Sequence, residues 1–332
     1  MQAVAIRQHG GLDRVAVLDV PRSELTPGSV RVDLRAAALN HLDLFVIAGI
    51  PGVELSMPHV LGADGAGVVS EVADGVSDVS AGDEVVLDPG LGSPDESGYR
   101  LLGEMVPGTF AEQIVVPAEN CYPKPAPLSW AEAAAFPLVT LTAWRMLVSK
   151  AGLGAGEWVL IHGIGGGVSL AALQIVRHLG ARAIVTSHSE TKRQRALELG
   201  AEVAIDYTQD DVVAAVRACT DGVGADVVID NVGEATFAAS IRACRKGGRI
   251  VTCGATSGAK IPVDVRRVFW RQLSILGSTM GNAAEFRAML DVIASGAIVP
   301  VVDKVFPLAE GRAALQRLEN AEQFGKIVLE IS

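Results

Sequence analysis

Residues 158–180, "WVLIHGIGGGVSLAALQIVRHLG", contain the pattern that decides the fold. The opening WVLIHG is a continuous apolar run, as expected of a strand that is buried on both faces. A glycine-rich turn, HGIGGGVS (162–169), comes next, and VSLAALQIVRHLG has the apolar spacing of a helix that ends at Gly180. A strand, a glycine turn and a helix in this order predict a phosphate-binding site, because the helix directs its N-terminal amides and positive dipole end at the turn.

The same alternation of strand and helix continues as far as residue 278. The segments that follow are RAIVTS, SETKRQRALELG, EVAIDY, DDVVAAVRAC, ADVVIDNVG, EATFAASIRAC, GRIVTCG and LSILGS. Apolar strands that alternate with helices predict a parallel sheet covered on both faces. The fold class is therefore α/β, and the glycine turn lies in the βαβ context of a dinucleotide site.

The sequence before this block has a different texture. Residues 1–125 contain short alternating segments separated by turns, namely AVAIRQ, SVRVDL, AGVVSEV, DEVVL and AEQIVV. Ser129 and Glu132 have the spacing of a capping box and predict the start of a helix that Pro137 interrupts. After the central block, the chain is predicted to end with a helix, the strand DKVFPL, another helix and the strand GKIVLEI.

Charge and cysteine content limit the classes of partner. The 332 residues carry a formal net charge of −10, which disfavours nucleic acids and anionic membrane surfaces as partners. The four cysteines lie far apart and form no C-x-x-C pair, as expected in a reducing compartment. The N-terminal residues MQAVAIRQHGG do not resemble a secretory signal. These features predict a cytoplasmic protein whose partners are small molecules.

The end of the second strand of the block indicates which dinucleotide binds. An acidic residue at this position would bind the 2′-hydroxyl of NAD, but the sequence has Ser187 there, followed by His188, Ser189, Lys192 and Arg193. Hydroxyl groups beside these cations favour the 2′-phosphate of NADP(H). The alternative is an ordinary helix start with Ser189 as its N-cap, and Glu190 weakens the argument for a phosphate. The glycine turn would hold the pyrophosphate through Gly163, Gly165, Gly166, Gly167 and Val168.

Motifs along nearly the whole chain resemble those of the medium-chain dehydrogenase/reductase superfamily. They are LNHLDL, PHVLGADGAGVV, GDEVV, GTFAEQIVVPAEN, FPLVTLTAW, ELGAEVAIDY, GADVVIDNVG and RQLSILGSTMG. The chain is most similar to the zinc-type alcohol dehydrogenase-like and quinone oxidoreductase-like branches. The resemblance implies a GroES-like β-rich catalytic domain (1–126 and 280–332), a Rossmann domain (127–279) and an active site in the cleft between them. It also implies a homodimer or tetramer, in which LSILGST pairs across a two-fold axis.

The residues at the positions of the zinc ligands depart from the family pattern. The resemblance places Asn40 where zinc members have cysteine, Ala63 where they have histidine, and Leu138 near a third ligand. Asp64 stands where those members have glutamate, and the stretch 88–108 lacks the four cysteines of the structural zinc lobe. We therefore expect no metal. The alternative is an oxygen and nitrogen site assembled from His41, Asp43, His59, Asp64 and Glu104.

Five side chains are candidates for the chemistry. The resemblance places Asn40 nearest the reacting atoms, where its amide would donate to the acceptor oxygen, although asparagine also commonly caps turns. His41 would contact the cofactor phosphates or relay a proton, or else be an ordinary surface histidine. Asp43 is expected to brace the loop through backbone amides, and Asp64 to order the cleft. Thr142 would touch the nicotinamide, or else bond only within its own helix.

Further residues are assigned by the resemblance alone. The nicotinamide and its carboxamide would lie against Asn231, Gly254, Ser278 and Thr279. Apolar walls of the substrate pocket would come from Phe45, Tyr99 and Trp270, although scattered aromatic residues usually belong to the core.

These observations favour NADPH-dependent hydride transfer without zinc. A zinc ion would polarise a carbonyl group, and without it the acceptor must already delocalise negative charge. Quinones and α,β-unsaturated carbonyl compounds meet this requirement. Two alternatives stay open: a zinc-independent alcohol or aldehyde dehydrogenase, and a non-catalytic NADPH-binding redox sensor.

Overall fold

The computed structural model describes all 332 residues, which divide into two compact units. Unit 1 comprises Met1–Leu138 and Asn282–Ser332, and unit 2 comprises Val139–Gly281. The first division thus lies later than the boundary predicted after residue 126, because the helix Trp130–Ala135 packs on strands of unit 1. The second division is close to the predicted boundary.

Unit 1 begins with ten short strands. They are β1 (Gln2–Ile6), β2 (Val15–Asp19), β3 (Ser29–Ala38), β4 (His59–Val60), β5 (Asp64–Val72), β6 (Glu84–Leu87), β7 (Gly90–Leu91), β8 (Arg100–Leu101), β9 (Gln113–Pro117) and β10 (Cys121–Pro123). Two helices accompany them, α1 (His41–Ala48) and α2 (Trp130–Ala135), and α3 (Pro137–Trp144) continues the chain into unit 2. Ser129 and Glu132 form the predicted capping box, and Pro137 is the first residue of α3. A π-helical segment, Arg145–Lys150, follows α3.

The parallel sheet of unit 2 has six strands, which alternate with five helices. In chain order they are β11 (Trp158–Ile161), α4 (Gly167–His178), β12 (Arg182–Thr186), α5 (Glu190–Glu198), β13 (Val203–Ile205), α6 (Val212–Cys219), β14 (Ala225–Asp230), α7 (Phe237–Ala243), β15 (Cys244–Thr252), α8 (Val265–Arg271) and β16 (Ser274–Gly277). The strand order is β13-β12-β11-β14-β15-β16. This doubly wound order confirms the Rossmann fold, and the order reverses beside β11, where the glycine turn begins.

The chain then returns to unit 1 with α9 (Ala283–Ala294), β17 (Val302–Pro307), α10 (Gly311–Glu319) and β18 (Lys326–Glu330). In the large sheet of unit 1 the order is β10-β6-β5-β3-β18-β17, and β9 also pairs with β3. Strand β3 lies between β5 and β18, antiparallel to both. The last strand of the sequence therefore lies inside this sheet, between the N-terminal strand β3 and the edge strand β17.

Each unit has its own apolar core. In unit 1, Phe110 is fully buried and packs directly beneath Gly62, where a Cβ atom would lie 2.1 Å from the ring. This contact explains why the segment LGADG needs glycine at position 62. The core of unit 2 fills the spaces between the parallel sheet and its helices, with Leu160, Ile184 and Val228 fully buried. None of the helices is both long and apolar enough to span a membrane.

Candidate active site

The register of three strands brings together a buried polar cluster in unit 1. Ala38, the last residue of β3, pairs with Asp64 on one side and with Val328 on the other. Since β3 and β18 run antiparallel, Asn40 is brought opposite Lys326, two residues beyond this pair on each strand. All three polar residues are buried, with exposed fractions of 5% for Asn40, 4% for Lys326 and 0% for Asp64.

The ammonium group of Lys326 lies at the centre of this cluster. Its Nζ donates to Asn40 Oδ1 at 2.5 Å and to Asp64 Oδ2 at 2.9 Å. An ammonium group has only donors, so the amide of Asn40 must turn its oxygen towards Lys326. The amide nitrogen then donates to Asp64 Oδ2 at 2.9 Å and more weakly to Ala38 O at 3.4 Å.

Two carboxylates complete the network. Asp64 Oδ1 accepts from the backbone N–H of Leu138 at 2.7 Å. Asp43 braces the loop as predicted, since it accepts from the backbone amides of Asn40 (2.7 Å) and Gly62 (3.2 Å). Burial raises the pKa of Asp43 to about 7, although both amides and Lys326 act in the opposite direction. The stretch that contains Asn40 and Asp43 therefore both caps helix α1 and belongs to the buried cluster.

His41, the first residue of α1, is half-buried and is not a surface histidine. Burial lowers its pKa, and the positive charge of Lys326 lowers it further. The imidazole is therefore neutral near pH 7.

In unit 2 the predicted nucleotide-binding residues follow the carboxyl ends of neighbouring parallel strands. The glycine turn follows β11, Ser187 follows β12, Asn231 follows β14, Gly254 follows β15 and Ser278 follows β16. In a doubly wound sheet, this edge is where ligands bind.

The glycine turn combines positive φ angles with an uncapped helix start. Gly163 and Gly165 have positive φ angles of 65° and 123°, and Gly166 precedes α4, whose start has no side-chain cap. The hydroxyl of Ser169 lies 3.0 Å from the carbonyl oxygens of Gly163 and Gly166. Ser169 therefore braces the turn from inside, and its hydroxyl is not directed at a phosphate. Gly167 and Val168 form the first turn of α4, so the helix begins one residue before the predicted start at Val168.

Asn231 and Ser278 each have a buried polar atom without a protein partner. These atoms are Asn231 Oδ1 and Ser278 Oγ. An unpaired buried polar atom is costly, so two of them at one sheet edge indicate a polar ligand. Gly254 lies beside Asn231, because a Cβ atom on Gly254 would be 3.3 Å from Asn231 O. Thr279 is exposed, and the hydroxyl of buried Thr142 lies 3.5 Å from the sulfur of Met280.

The region after β12 has a more balanced charge than the sequence suggests. Ser187 is buried, and its hydroxyl accepts from the backbone N–H of Ser189. Arg193 donates to Ser187 O at 2.8 Å and forms ion pairs with Glu190 and Asp206. The guanidinium is therefore already neutralised by two carboxylates. The hydroxyl of Ser189 accepts from the backbone N–H of half-buried Lys192, and exposed His188 bonds to the hydroxyl of Tyr207 at 2.7 Å.

Two aromatic residues that were predicted as pocket walls lie outside the core. Trp270 on α8 is 78% exposed and Phe45 on α1 is 40% exposed. Their assignment to a substrate pocket stays a prediction. Tyr99 is half-buried, and its hydroxyl lies close to Gly90.

Comparison with known proteins places both units in one family. Residues 26–126 match the alcohol dehydrogenase GroES-like domain, and residues 167–295 match the zinc-binding dehydrogenase domain. The zinc-type alcohol dehydrogenase-like protein of Schizosaccharomyces pombe is 35% identical, with 94% of this chain and 93% of that protein covered. A 2-haloacrylate reductase of a Burkholderia species is 31% identical, with 99% of this chain and 98% of that protein covered. The chain belongs to the medium-chain dehydrogenase/reductase superfamily.

Solved structures of this superfamily agree with the fold. A structure described as an NAD-dependent alcohol dehydrogenase superposes with a TM-score of 0.96, at 45% identity and with both chains fully covered. A crotonyl-CoA carboxylase/reductase in complex with NADP superposes with a TM-score of 0.92, at 28% identity, over 100% of this chain and 95% of that one. This medium-chain dehydrogenase/reductase is therefore an oxidoreductase with a GroES-like unit and a Rossmann unit.

A zinc ion does not fit the residues at the family's metal position. Asn40 and Asp64 already bind the ammonium of Lys326, while Ala63 and Leu138 have no ligand atoms in their side chains. A cation held there by these residues would be repelled by Lys326. His59 is also committed, since its Nε2 lies 3.1 Å from Gly103 O. Nowhere does the structure gather three histidine, cysteine, aspartate or glutamate side chains that could hold a metal.

Lys326 is the residue of the cluster that the sequence did not reveal. It opens the apolar segment KIVLEI, and a lysine at the start of such a strand is usually exposed. Its burial follows from the position of β18 inside the sheet, between β3 and β17. No local pattern in the sequence carries that information.

Proposed function

We propose that the protein is an NADP(H)-dependent oxidoreductase that transfers hydride to a quinone or an α,β-unsaturated carbonyl compound without zinc. The observation that carries the proposal is the arrangement of Asn40, Asp64 and Lys326, which holds an ammonium group at the family's metal position. The similarity to a 2-haloacrylate reductase and to a crotonyl-CoA carboxylase/reductase supports an activated double bond as the acceptor.

The chemistry follows from where negative charge accumulates. When bound, NADPH supplies a hydride, which carries two electrons to the β-carbon of the acceptor and leaves the nicotinamide oxidised. The double-bond electrons then move onto the acceptor oxygen as an enolate, and a proton from water completes the new C–H bond at the α-carbon. Each turnover thus consumes one hydride and one proton. A conjugated acceptor spreads the negative charge, so it needs less electrostatic stabilisation than a simple ketone.

The assignment of roles follows the division of the chain. Unit 2 would hold the nucleotide through the glycine turn and the unpaired polar atoms of Asn231 and Ser278. Gly254 and Thr279, which follow β15 and β16, are proposed to lie beside the nicotinamide, together with Thr142. The buried cluster of unit 1 would act on the acceptor. Within it, His41 and Asp43 are proposed to support the cluster.

The preference for NADP(H) rests on the end of β12. Ser187 is uncharged and does not repel a 2′-phosphate, and the nearest acidic residues, Glu190 and Asp206, are paired with Arg193. Replacing Ser187 with Asp should weaken NADPH binding by about 100-fold and leave NADH binding within a few-fold, because the new carboxylate repels only the 2′-phosphate. Titration calorimetry with both nucleotides measures this. Equal losses for NADPH and NADH, or a native preference for NADH, would show that the nucleotide preference is misassigned.

The acceptor class is tested by rapid mixing. The purified protein, dialysed against a chelator, is mixed with NADPH and a panel of quinones, enones, aldehydes and ketones while nicotinamide absorbance is followed. We expect turnover with quinones or enones, with no dependence on added zinc. Tight NADPH binding without turnover of any acceptor would instead favour the alternative function, a non-catalytic redox sensor.

A second candidate function is a metal-independent alcohol or aldehyde dehydrogenase. The structural likeness to an NAD-dependent alcohol dehydrogenase at 45% identity favours it. Reduction of NADP⁺ or NAD⁺ by alcohols after chelator dialysis, faster than any enone or quinone reduction, would support this candidate over the first.

We further propose a homodimer. Strand β16 is the edge of the six-stranded sheet, and its Ile275 is 39% exposed. An apolar edge strand is suited to pairing with a second copy of the chain. Sedimentation velocity would test this proposal, and a monomer at micromolar concentration would contradict it.

A further inference from the structure

Lys326 is a buried cation whose presence the fold alone does not require. It begins the buried strand β18, and the next three residues, Ile327–Leu329, are all buried and apolar. Removing an ammonium group from water costs free energy, and well-packed apolar residues can often replace a buried ion pair without loss of stability. A buried ion pair at a family's metal position therefore calls for a role other than stability.

The hydrogen bonds of Lys326 fix its position and leave one donor uncommitted. Nζ makes two hydrogen bonds in the structure, to Asn40 Oδ1 and Asp64 Oδ2. An ammonium group has three N–H donors, so one remains for a ligand. The side chain of Lys326 is 5% exposed, whereas that of Asp64 is fully buried. Of the two charged groups, only Lys326 therefore keeps some contact with solvent.

The charge of Asp64 is shared among several donors. Its two oxygens accept from the Leu138 amide, the Asn40 side chain and Lys326. Because three donors share this carboxylate, Lys326 is less fully neutralised than in an isolated ion pair. Asn40 also has both amide hydrogens within the cluster, on Asp64 and Ala38, so Lys326 is the better placed donor for an acceptor oxygen.

We infer that Lys326 is the group that stabilises the negative oxygen of the acceptor during hydride transfer, with Asn40 and Asp64 as positioning residues that hold its ammonium. This inference rests on the proposed function. The third N–H of Lys326 donates to the oxygen on which charge develops, and no covalent bond to the lysine forms. Fixed positive charge inside the protein thus takes the electrostatic role of the metal ion for which this chain has no ligand set.

The test compares wild type with Lys326→Met, with a double variant and with a control. Lys326→Met removes the ammonium but leaves Asp64 buried without its cation, which works against folding. The double variant Lys326→Met/Asp64→Asn removes both charges. The amide oxygen of the side chain that replaces Asp64 can still accept from the Leu138 N–H. The control is Lys304→Met, which removes an exposed lysine from the neighbouring strand β17.

The expected result is a loss in the chemical step with no loss in nucleotide binding. With NADPH and cyclohexenone, Lys326→Met and the double variant should reduce kcat by about 100-fold or more, as when an oxyanion-stabilising donor is removed. The loss should be smaller with benzoquinone, which needs less stabilisation of charge. The Kd for NADPH should stay within about three-fold of wild type, and Lys304→Met should behave like wild type.

Three outcomes overturn the inference. The first is a folded double variant with wild-type kcat, and the second is an activity loss fully explained by weaker NADPH binding. The third is an equal loss with cyclohexenone and benzoquinone. In each case the wild type still turns over, so the proposed function stands. No turnover by wild type with any enone or quinone would instead overturn the proposed function, and the inference with it.

Discussion

Asp64 Oδ2 and Lys326 Nζ lie 2.9 Å apart inside unit 1, although 262 residues separate them in the sequence. The two ends of the chain are joined here because β18 and β5 both pair with β3. The ion pair is thus a consequence of sheet order, and it makes the stability of unit 1 depend on both segments of the chain.

The two partners of this pair should be energetically coupled. Asp64→Asn and Lys326→Met should each lower the free energy of unfolding by about 3 kcal/mol, because each leaves one buried charge unpaired. The double variant should lose less than the sum, with a coupling of about 2 kcal/mol. Urea unfolding of the four proteins gives this coupling. Additive losses would mean that the two charges do not interact energetically.

Gly62 should not tolerate a side chain. Its φ angle is 96°, and a Cβ atom would lie 2.1 Å from a ring carbon of Phe110. Gly62→Ala should cost about 3 kcal/mol or more, because the fully buried ring cannot move without disturbing the core. Gly75 is the matched control, since its φ angle is 86° and no atom lies within 4 Å of a Cβ. Gly75→Ala should cost only about 1 kcal/mol, from the backbone conformation alone.

Thermal unfolding of the two glycine variants compares them directly. Equal shifts in Tm would show that the steric contact with Phe110 contributes nothing beyond backbone strain.

Asp88 should make stability decrease as pH rises towards neutrality. Burial raises its pKa from 3.8 to about 7, against the opposing effects of the Gly90 amide and Arg287. Between these two values the folded protein holds a proton that the unfolded chain has released, so raising the pH favours unfolding. From pH 5 to pH 8, the free energy of unfolding of wild type should fall by about 2 kcal/mol more than that of Asp88→Asn, whose side chain does not titrate.

Urea midpoints at pH 5 and pH 8 test the role of Asp88. Glu119→Gln is the control, because Glu119 is exposed and lies on the short segment before β10. The Glu119→Gln variant should show the same change of stability with pH as wild type. If Asp88→Asn also showed that change, the pH dependence could not be assigned to Asp88.

Arg249 should not be replaceable by lysine. Its guanidinium donates to both oxygens of Glu157 at 2.9 and 2.6 Å, and its Nε donates to Ala151 O at 2.9 Å. Lysine cannot reproduce three donors in this geometry, so Arg249→Lys should cost about 1–2 kcal/mol. Arg266 also binds a carboxylate, that of Asp264, but its side chain is 84% exposed. Arg266→Lys should therefore change stability by less than about 0.5 kcal/mol.

Chemical denaturation distinguishes these two substitutions. If both cost the same, burial would not be what gives the Arg249 pair its strength.

Much of the fold could be predicted because its signals are local. The apolar run before Gly163 and the amphipathic spacing after it predict β11 and α4 without knowledge of distant residues. The capping box of Ser129 and Glu132 and the break at Pro137 are likewise local. The candidate site was predictable only in part. Asn40, Asp43 and Asp64 lie in motifs that resemble those of the family, whereas Lys326 gave no such signal.

The nucleotide site shows the same limit. Ser187 and the glycine turn were identified from their positions after strands, but the two carboxylates that neutralise Arg193 were not fully anticipated. Asp206 follows β13, the strand beside β12, and so reaches Arg193 only in the folded sheet. The net charge near a candidate phosphate site therefore cannot be summed from one sequence segment.

By itself, the sequence determined the alternating strands and helices and the glycine turn, because hydrophobic periodicity and turn residues act over a few positions. Only the tertiary structure decided that an ammonium group would occupy the centre of the cluster in unit 1. That placement depends on the register of β18 against β3, which joins residues 286 positions apart, Asn40 and Lys326. Strand pairing at such a distance leaves no mark on the local pattern of residues.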